Sequence, residues 1–218
     1  MNLYTHAVLA QALLPMIGPT NPAEYLWGAI APDIRYLAGI RRETTHLPDE
    51  TIQQWTEQHP GCLSFIQGYR VHCMLDRIDT VQAVCSAFPL RWIQRFGRRE
   101  FSSHKINVMI ELYYQLNAPH GLQLEGSHNP ILDSLGIQAE QSEAFASALA
   151  VYLRNPSFQN ATQAFSRLGI IEDFRLEKYI SAYRSLRRSP FTLLILTSSV
   201  HNARLEQTAR NLLKDQPR

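Results

Sequence analysis

The stretch Cys62-Leu63-Ser64-Phe65-Ile66-Gln67-Gly68-Tyr69-Arg70-Val71-His72-Cys73-Met74-Leu75-Asp76, running on to about Phe88, decides the fold. Leu63, Ile66, Val71, Met74, Leu75, Ile78 and Val81 recur at helical spacing, which predicts a long, largely buried central helix near 62–88. Towards the N-terminus the helical pattern continues. Leu3, Ala7, Ala10, Leu13 and Leu14 give one apolar face over 3–16, ended by Gly18 and Pro19. Asn21-Pro22 supplies a cap and a first-turn proline for a second helix to about Ile30, which Pro32 stops. Residues 34–47 are expected to be irregular, and Pro48-Asp49-Glu50 opens a short helix that Pro60-Gly61 ends.

Towards the C-terminus a short piece over 89–97 leads to Ser102-Ser103, a cap for a helix over 104–117. Residues 118–130 form the clearest loop, followed by helices near 131–136, 139–154, 158–168, 171–187 and 190–213. Strand-type alternation is absent. The expectation is an all-α, single-domain multi-helix bundle over 1–218, with a metal-site half over about 1–117 and packing helices over about 131–213.

Bulk properties narrow the function. The chain has 218 residues, 45% hydrophobic and 18% charged, with a net charge of +2 spread evenly along it. That gives no electrostatic support for nucleic-acid binding. Cys62, Cys73 and Cys85 are an odd set without a CxxC pair, which predicts reduced thiols and a cytoplasmic location. The N-terminal apolar run lacks a preceding Lys or Arg and is interrupted by His6 and Gln11, so no secretory signal is expected. Phe191 to Ile195 is far too short to span a bilayer.

Chemistry concentrates in one residue set. His72 and Asp76 stand four apart, so on a helix an imidazole and a carboxylate lie one above the other and can reach one ion. In a mostly apolar stretch a lone charge is costly unless paired or coordinated. Asp33 is the one charge between Glu24 and Arg35; taken alone, it would equally serve as a cap for a following turn. His6 lies on an apolar helix, where a single histidine is commonly a hydrogen-bonded core residue. His46, in the charged Arg41-Arg42-Glu43-Thr44-Thr45-His46 loop, is expected to be exposed by default.

The order of these elements resembles the superfamily of zinc-dependent phospholipase C and fungal single-strand nucleases. The elements are Thr5-His6 in the first helix, Gly28-Ala29-Ile30-Ala31-Pro32-Asp33 after the second, Thr45-His46 in the next loop, and Gly68-Tyr69-x-x-His72-x-x-x-Asp76 on a central helix. They span residues 5–76, about a third of the chain. The resemblance implies a zinc ion held by Asp33, His46, His72 and Asp76, with His6 serving a neighbouring ion that Asp76 bridges. It also implies hydrolysis of a phosphoester, with Asp33 as general base or ligand. The partner would then be a phosphoester-containing small molecule or a lipid headgroup.

The second half of that pattern departs from the family. No histidine follows shortly after Asp76, and the later segment reads His104-Lys105-Ile106-Asn107-Val108-Met109-Ile110-Glu111, with valine where four-residue spacing would place glutamate. His104 and Glu111, seven apart, share a helix face and are the candidates for a second ion together with Asn107; otherwise they are a capping-region histidine and an exposed glutamate. His120 and His128 are expected to be solvated, His59 and His201 structural or exposed, and Arg184, Arg187 and Arg188 a solvated helix end. The alternatives are a non-catalytic or single-metal helical interaction protein derived from that family, and an HD-type phosphohydrolase. The latter requires a His directly followed by Asp, and this chain has none.

Overall fold

Among the described residues the apolar periodicity is realised as helices. A computed structural model describes residues 2–88, 91, 102–118, 121–122, 124, 126–169, 175–186 and 199–214, and among these no strand occurs. The elements are α1 (Leu3–Ile17), α2 (Pro22–Gly28), a 3₁₀ turn (Ala31–Ile34), α3 (Arg35–Ala38), α4 (Arg42–Thr45), α5 (Asp49–Gln58), a second 3₁₀ turn (Pro60–Cys62), α6 (Leu63–Leu75) and α7 (Thr80–Ser86). There follow α8 (Ser103–Asn117), α9 (Pro130–Ser134), α10 (Ala139–Arg154), α11 (Phe158–Arg167), α12 (Arg175–Leu186) and α13 (Val200–Lys214). The all-α expectation holds.

Local chemistry explains the boundaries. Asn21 Oδ1 accepts from the Ala23 and Glu24 N–H groups, and Pro22 occupies the first turn, where its missing N–H is no loss. Ser102 caps α8 through the Lys105 N–H, as its position predicts. Gly18 closes α1 in the left-handed region at φ 62°, which a residue without Cβ adopts freely. One correction concerns the central helix. The expected helix over 62–88 breaks after Leu75, turns at 76–79, and restarts when Asp79 accepts from the Gln82 N–H. Apolar spacing continues across that break, so periodicity alone hides it; the Asp79-Thr80 cap is the signal that marks it. The segment 34–47 is also more ordered than expected, holding α3 and α4. The expected piece over 89–97 lies outside the described residues.

Helix α6 packs against α1, α2, α5 and α13, and α8 packs against α1, α7 and α12. Tyr4, Leu9, Tyr25, Trp27, Ile30, Phe65, Tyr69, Tyr114, Phe145 and Tyr152 are fully buried in one continuous apolar cluster. The crossing of α2 and α6 is set by two glycines. A Cβ on Gly68 would lie 1.9 Å from Tyr25 O, and one on Gly28 would lie 2.0 Å from Phe65 O. Both obstacles are backbone, so neither side can yield cheaply. Substitution Gly68→Ala is therefore expected to destabilise by roughly 3 kcal/mol or more, at the upper end of overpacking effects. Urea denaturation measures it; a loss below about 1 kcal/mol would show that the crossing is not tight.

Candidate metal centre

This close crossing positions the first candidate ligand. With α2 against α6, Ala29 O comes 2.8 Å from His72 Nδ1. A carbonyl only accepts, so Nδ1 carries the proton and Nε2 presents its lone pair. A carbonyl bonded to one ring nitrogen in this way is how a metal-binding imidazole is oriented. His72 is fully buried, and Asp76, the residue that closes α6, sits one turn on with its side chain 8% exposed.

Each element quoted from the sequence has a structural part in this arrangement. Gly68 permits the crossing, Tyr69 donates its hydroxyl to Thr45 O and so ties down the loop before His46, and His72 and Asp76 face inward. Thr45 Oγ1 lies 3.1 Å from His46 Nδ1, leaving Nε2 to point at the cluster. His46 Nε2 is 3.2 Å from His72 Nε2 and 3.1 Å from Asp76 Oδ2. The exposure expected of His46 is corrected: its side chain is only 9% exposed. Tyr69 and the short helix α4 fold the loop inward, which its charged sequence conceals.

His6 enters from α1. Its ring stacks on that of His72 at 4.0 Å between centroids, and its Nε2 is 3.1 Å from Asp76 Oδ1. Yet neither ring nitrogen has a partner with hydrogen-bond alignment, although the residue is buried. A buried imidazole with no aligned hydrogen bond is costly, and here Nε2 has only its close approach to Asp76. Asp33, on the 3₁₀ turn and 5% exposed, completes the set. His6, Asp33 and His72 offer ligand atoms within 4.8 Å of one another, and so do His46, His72 and Asp76. Three imidazoles and two carboxylates suit zinc. The residues fit the ion that the sequence implies.

Electrostatics agree with that fit. Burial, with the nearby His72 adding to it, lowers the pKa of His6 to about 4. Burial lowers His72 to about 3 against the opposing pull of Asp76. Both rings are neutral at pH 7, the state in which imidazole coordinates. Burial by itself would raise Asp76, but the contacts with His46 and His6 outweigh it and hold the carboxyl far below the usual range. An ionised carboxylate inside an apolar core costs several kcal/mol unless compensated, and these contacts compensate Asp76. A strongly shifted carboxylate among buried histidines makes this cluster the candidate functional site.

Two arginines that the sequence did not single out complete the surroundings. Arg42 bonds Asp76 Oδ2. Arg35 lies over the Tyr36 ring, 3.9 Å from its centroid, and its Nε is 3.9 Å from Asp33 Oδ1. No spacing rule flags them; their proximity to carboxylates distant in sequence does.

The expected second ion site is not assembled from the residues named for it. Glu111 is neither exposed nor aimed at the cluster: it is fully buried and accepts from the Thr5 N–H (2.9 Å), Thr5 Oγ1 (2.7 Å), the Tyr4 N–H (3.3 Å) and the Tyr152 hydroxyl. It caps the start of α1, where four N–H groups lack helical partners. Asn107 Oδ1 is taken by Thr80 Oγ1 at 2.8 Å. His104, half-buried, joins no ligand group among the described residues. His128 is not simply solvated, since it bridges Ser142 Oγ (3.1 Å) and Asp133 (2.7 Å). His201 is buried edge-on against Tyr113, and Arg184 is exposed. His120, Arg187, Arg188 and Phe191 to Ile195 lie outside the described residues.

No family model matches the chain, and no curated protein or solved structure is significantly similar to it. Among the described residues, no helix is long and apolar enough to cross a membrane.

Proposed function

We propose that the protein is a zinc-dependent phosphoester hydrolase acting on a phospholipid or another phosphodiester. The observation that carries this is that His6, Asp33, His46, His72 and Asp76, from four elements, form two ligand groups that share the buried His72. An ion bound there supplies Lewis acidity, polarising a phosphoryl oxygen and making water a stronger nucleophile near neutral pH. The chain's own residues do the rest. Ala29 O fixes the tautomer of His72, Thr45 orients His46, and Tyr69 holds the Thr45 carbonyl. Asp33 would be the carboxylate to accept a proton from the attacking water, with Arg35 Nε 3.9 Å from its Oδ1 to steady it.

One ion is favoured over several. His72 belongs to both ligand groups, but its Nδ1 is committed to Ala29 O, so it offers a single nitrogen. Glu111 is committed to α1. This same observation supports the second reading, a helical protein with one structural metal and no catalysis. Metal analysis of the purified chain together with a panel of chromogenic phosphoesters separates the two. The hydrolase reading expects about one zinc per chain and phosphodiester hydrolysis that is lost on chelation and restored by zinc. Zinc without hydrolysis supports the structural reading. Zinc near zero, with stability unchanged by chelation, refutes both.

A further inference from the structure

The carboxylate of Asp76 already carries a cation supplied by the chain. Arg42, in the four-residue α4, bonds Oδ2, the same oxygen that lies 3.1 Å from His46 Nε2 and 3.8 Å from His72 Nε2. A carboxylate oxygen has two lone pairs. An ion held jointly by His46, His72 and Asp76 needs one of them on that crowded atom, so the ion and Arg42 compete. Arg42 also differs from its neighbours in freedom. Its side chain is 46% exposed, against 1% for His6 and 0% for His72. It can turn towards solvent without unpacking the core, and the imidazoles cannot.

The second cation is fixed. The Arg35 side chain is nine-tenths buried, donates to the Tyr36 hydroxyl, and keeps an Nε without a hydrogen bond. Two guanidinium groups therefore balance the two carboxylates, Asp33 and Asp76. A divalent ion held by imidazole nitrogens and these two paired carboxylates would leave the site with two net positive charges, and the complementary ligand is an anion. Among anions, a phosphoryl group matches the planar fork of a guanidinium through two oxygens at once.

We propose that Arg42 is a two-position residue: it neutralises Asp76 before a metal arrives and, once the ion takes that carboxylate, turns to hold the phosphoryl group of the ester. This rests on the hydrolase reading and adds that metal and phosphate bind cooperatively, with Arg42 as the link. Calorimetry on the full chain, titrating zinc and then inorganic phosphate, tests it. In Arg42→Gln, zinc binds several-fold more tightly because its competitor is gone. Phosphate then binds the zinc-loaded variant about tenfold more weakly or worse, the loss expected for a charge-assisted two-point contact. Opposite signs are the signature, since a damaged fold weakens both. Arg42→Lys keeps the charge without the fork and recovers only part of the phosphate affinity. Unchanged phosphate affinity in Arg42→Gln, or weakening of both ligands, overturns the proposal while the zinc stoichiometry of the parent protein still stands. Failure of the parent protein to take up zinc overturns the hydrolase reading and this inference with it.

Discussion

Substituting His72→Ala is expected to remove bound metal and phosphodiesterase activity together. Loss of an outer-shell partner of a metal ligand costs about 10–100-fold in affinity, and His72 would itself be a ligand, so the drop should exceed about 100-fold. Its Nε2 is the nitrogen common to both ligand groups, so no regrouping of the remaining residues replaces it. Asp76→Asn should do the same with almost no change in volume. The amide carries no charge to bind the ion, and it strands the cation of Arg42. Zinc stoichiometry by elemental analysis, with circular dichroism to confirm the fold, reads both variants. His128→Ala is the control: its ring contacts Ser142 and Asp133, away from the cluster, and it should keep its metal. Retained stoichiometry in both His72→Ala and Asp76→Asn would falsify the ligand assignment.

How much of this was legible in the chain depends on the range of each interaction. Asn21 and Ser102 act on N–H groups two or three residues away, so their sequence signatures give the helix starts directly. The spacing of His72 and Asp76 likewise fixes a shared face on α6, because helical geometry is local. The break after Leu75 was hidden because Ile78 and Val81 continue the apolar spacing across the turn, although Arg77 and Asp79 within it are exposed. Glu111 was misread for a different reason. Its partners Tyr4 and Thr5 lie 107 and 106 residues away, and nothing near it says that a buried carboxylate will be satisfied there. Arg42 and Asp76 are 34 residues apart, and their pairing exists only once α4 is folded onto α6. The candidate ligands were thus readable from type and order, while the contacts that orient them, made across the fold, were not.

The largest effect on stability is expected from Glu111→Ala. The substitution leaves the Tyr4 and Thr5 N–H groups, the Thr5 hydroxyl and the Tyr152 hydroxyl without their acceptor in a site sealed from water. Unsatisfied buried donors cost about 1–3 kcal/mol each. Even with partial relaxation, a total of roughly 4–6 kcal/mol is a large part of the about 5–15 kcal/mol that holds a typical domain. Glu111→Gln keeps the volume but turns an amide donor towards these donors, and about half that loss is expected. Burial also raises the pKa of Glu111 above its ordinary 4.5, against the bonds from Tyr152 and Thr5. The folded state then holds its proton longer than the unfolded one, so this residue's contribution declines as pH rises above about 4.5, and Glu111→Gln removes that slope. The consequence reaches the metal centre through one peptide unit. Thr5 precedes His6, and a frayed start to α1 releases the ring that stacks on His72. Zinc affinity in Glu111→Gln should fall even where the variant remains folded, by less than the about 10–100-fold of a direct partner of a ligand, because Glu111 bonds the residues before His6 and not its ring. Denaturation of the metal-free protein and zinc titration of the folded variant measure the two effects separately. If stability falls and zinc affinity does not, Glu111 serves the packing of α1 alone and His6 is held by its stacking on His72.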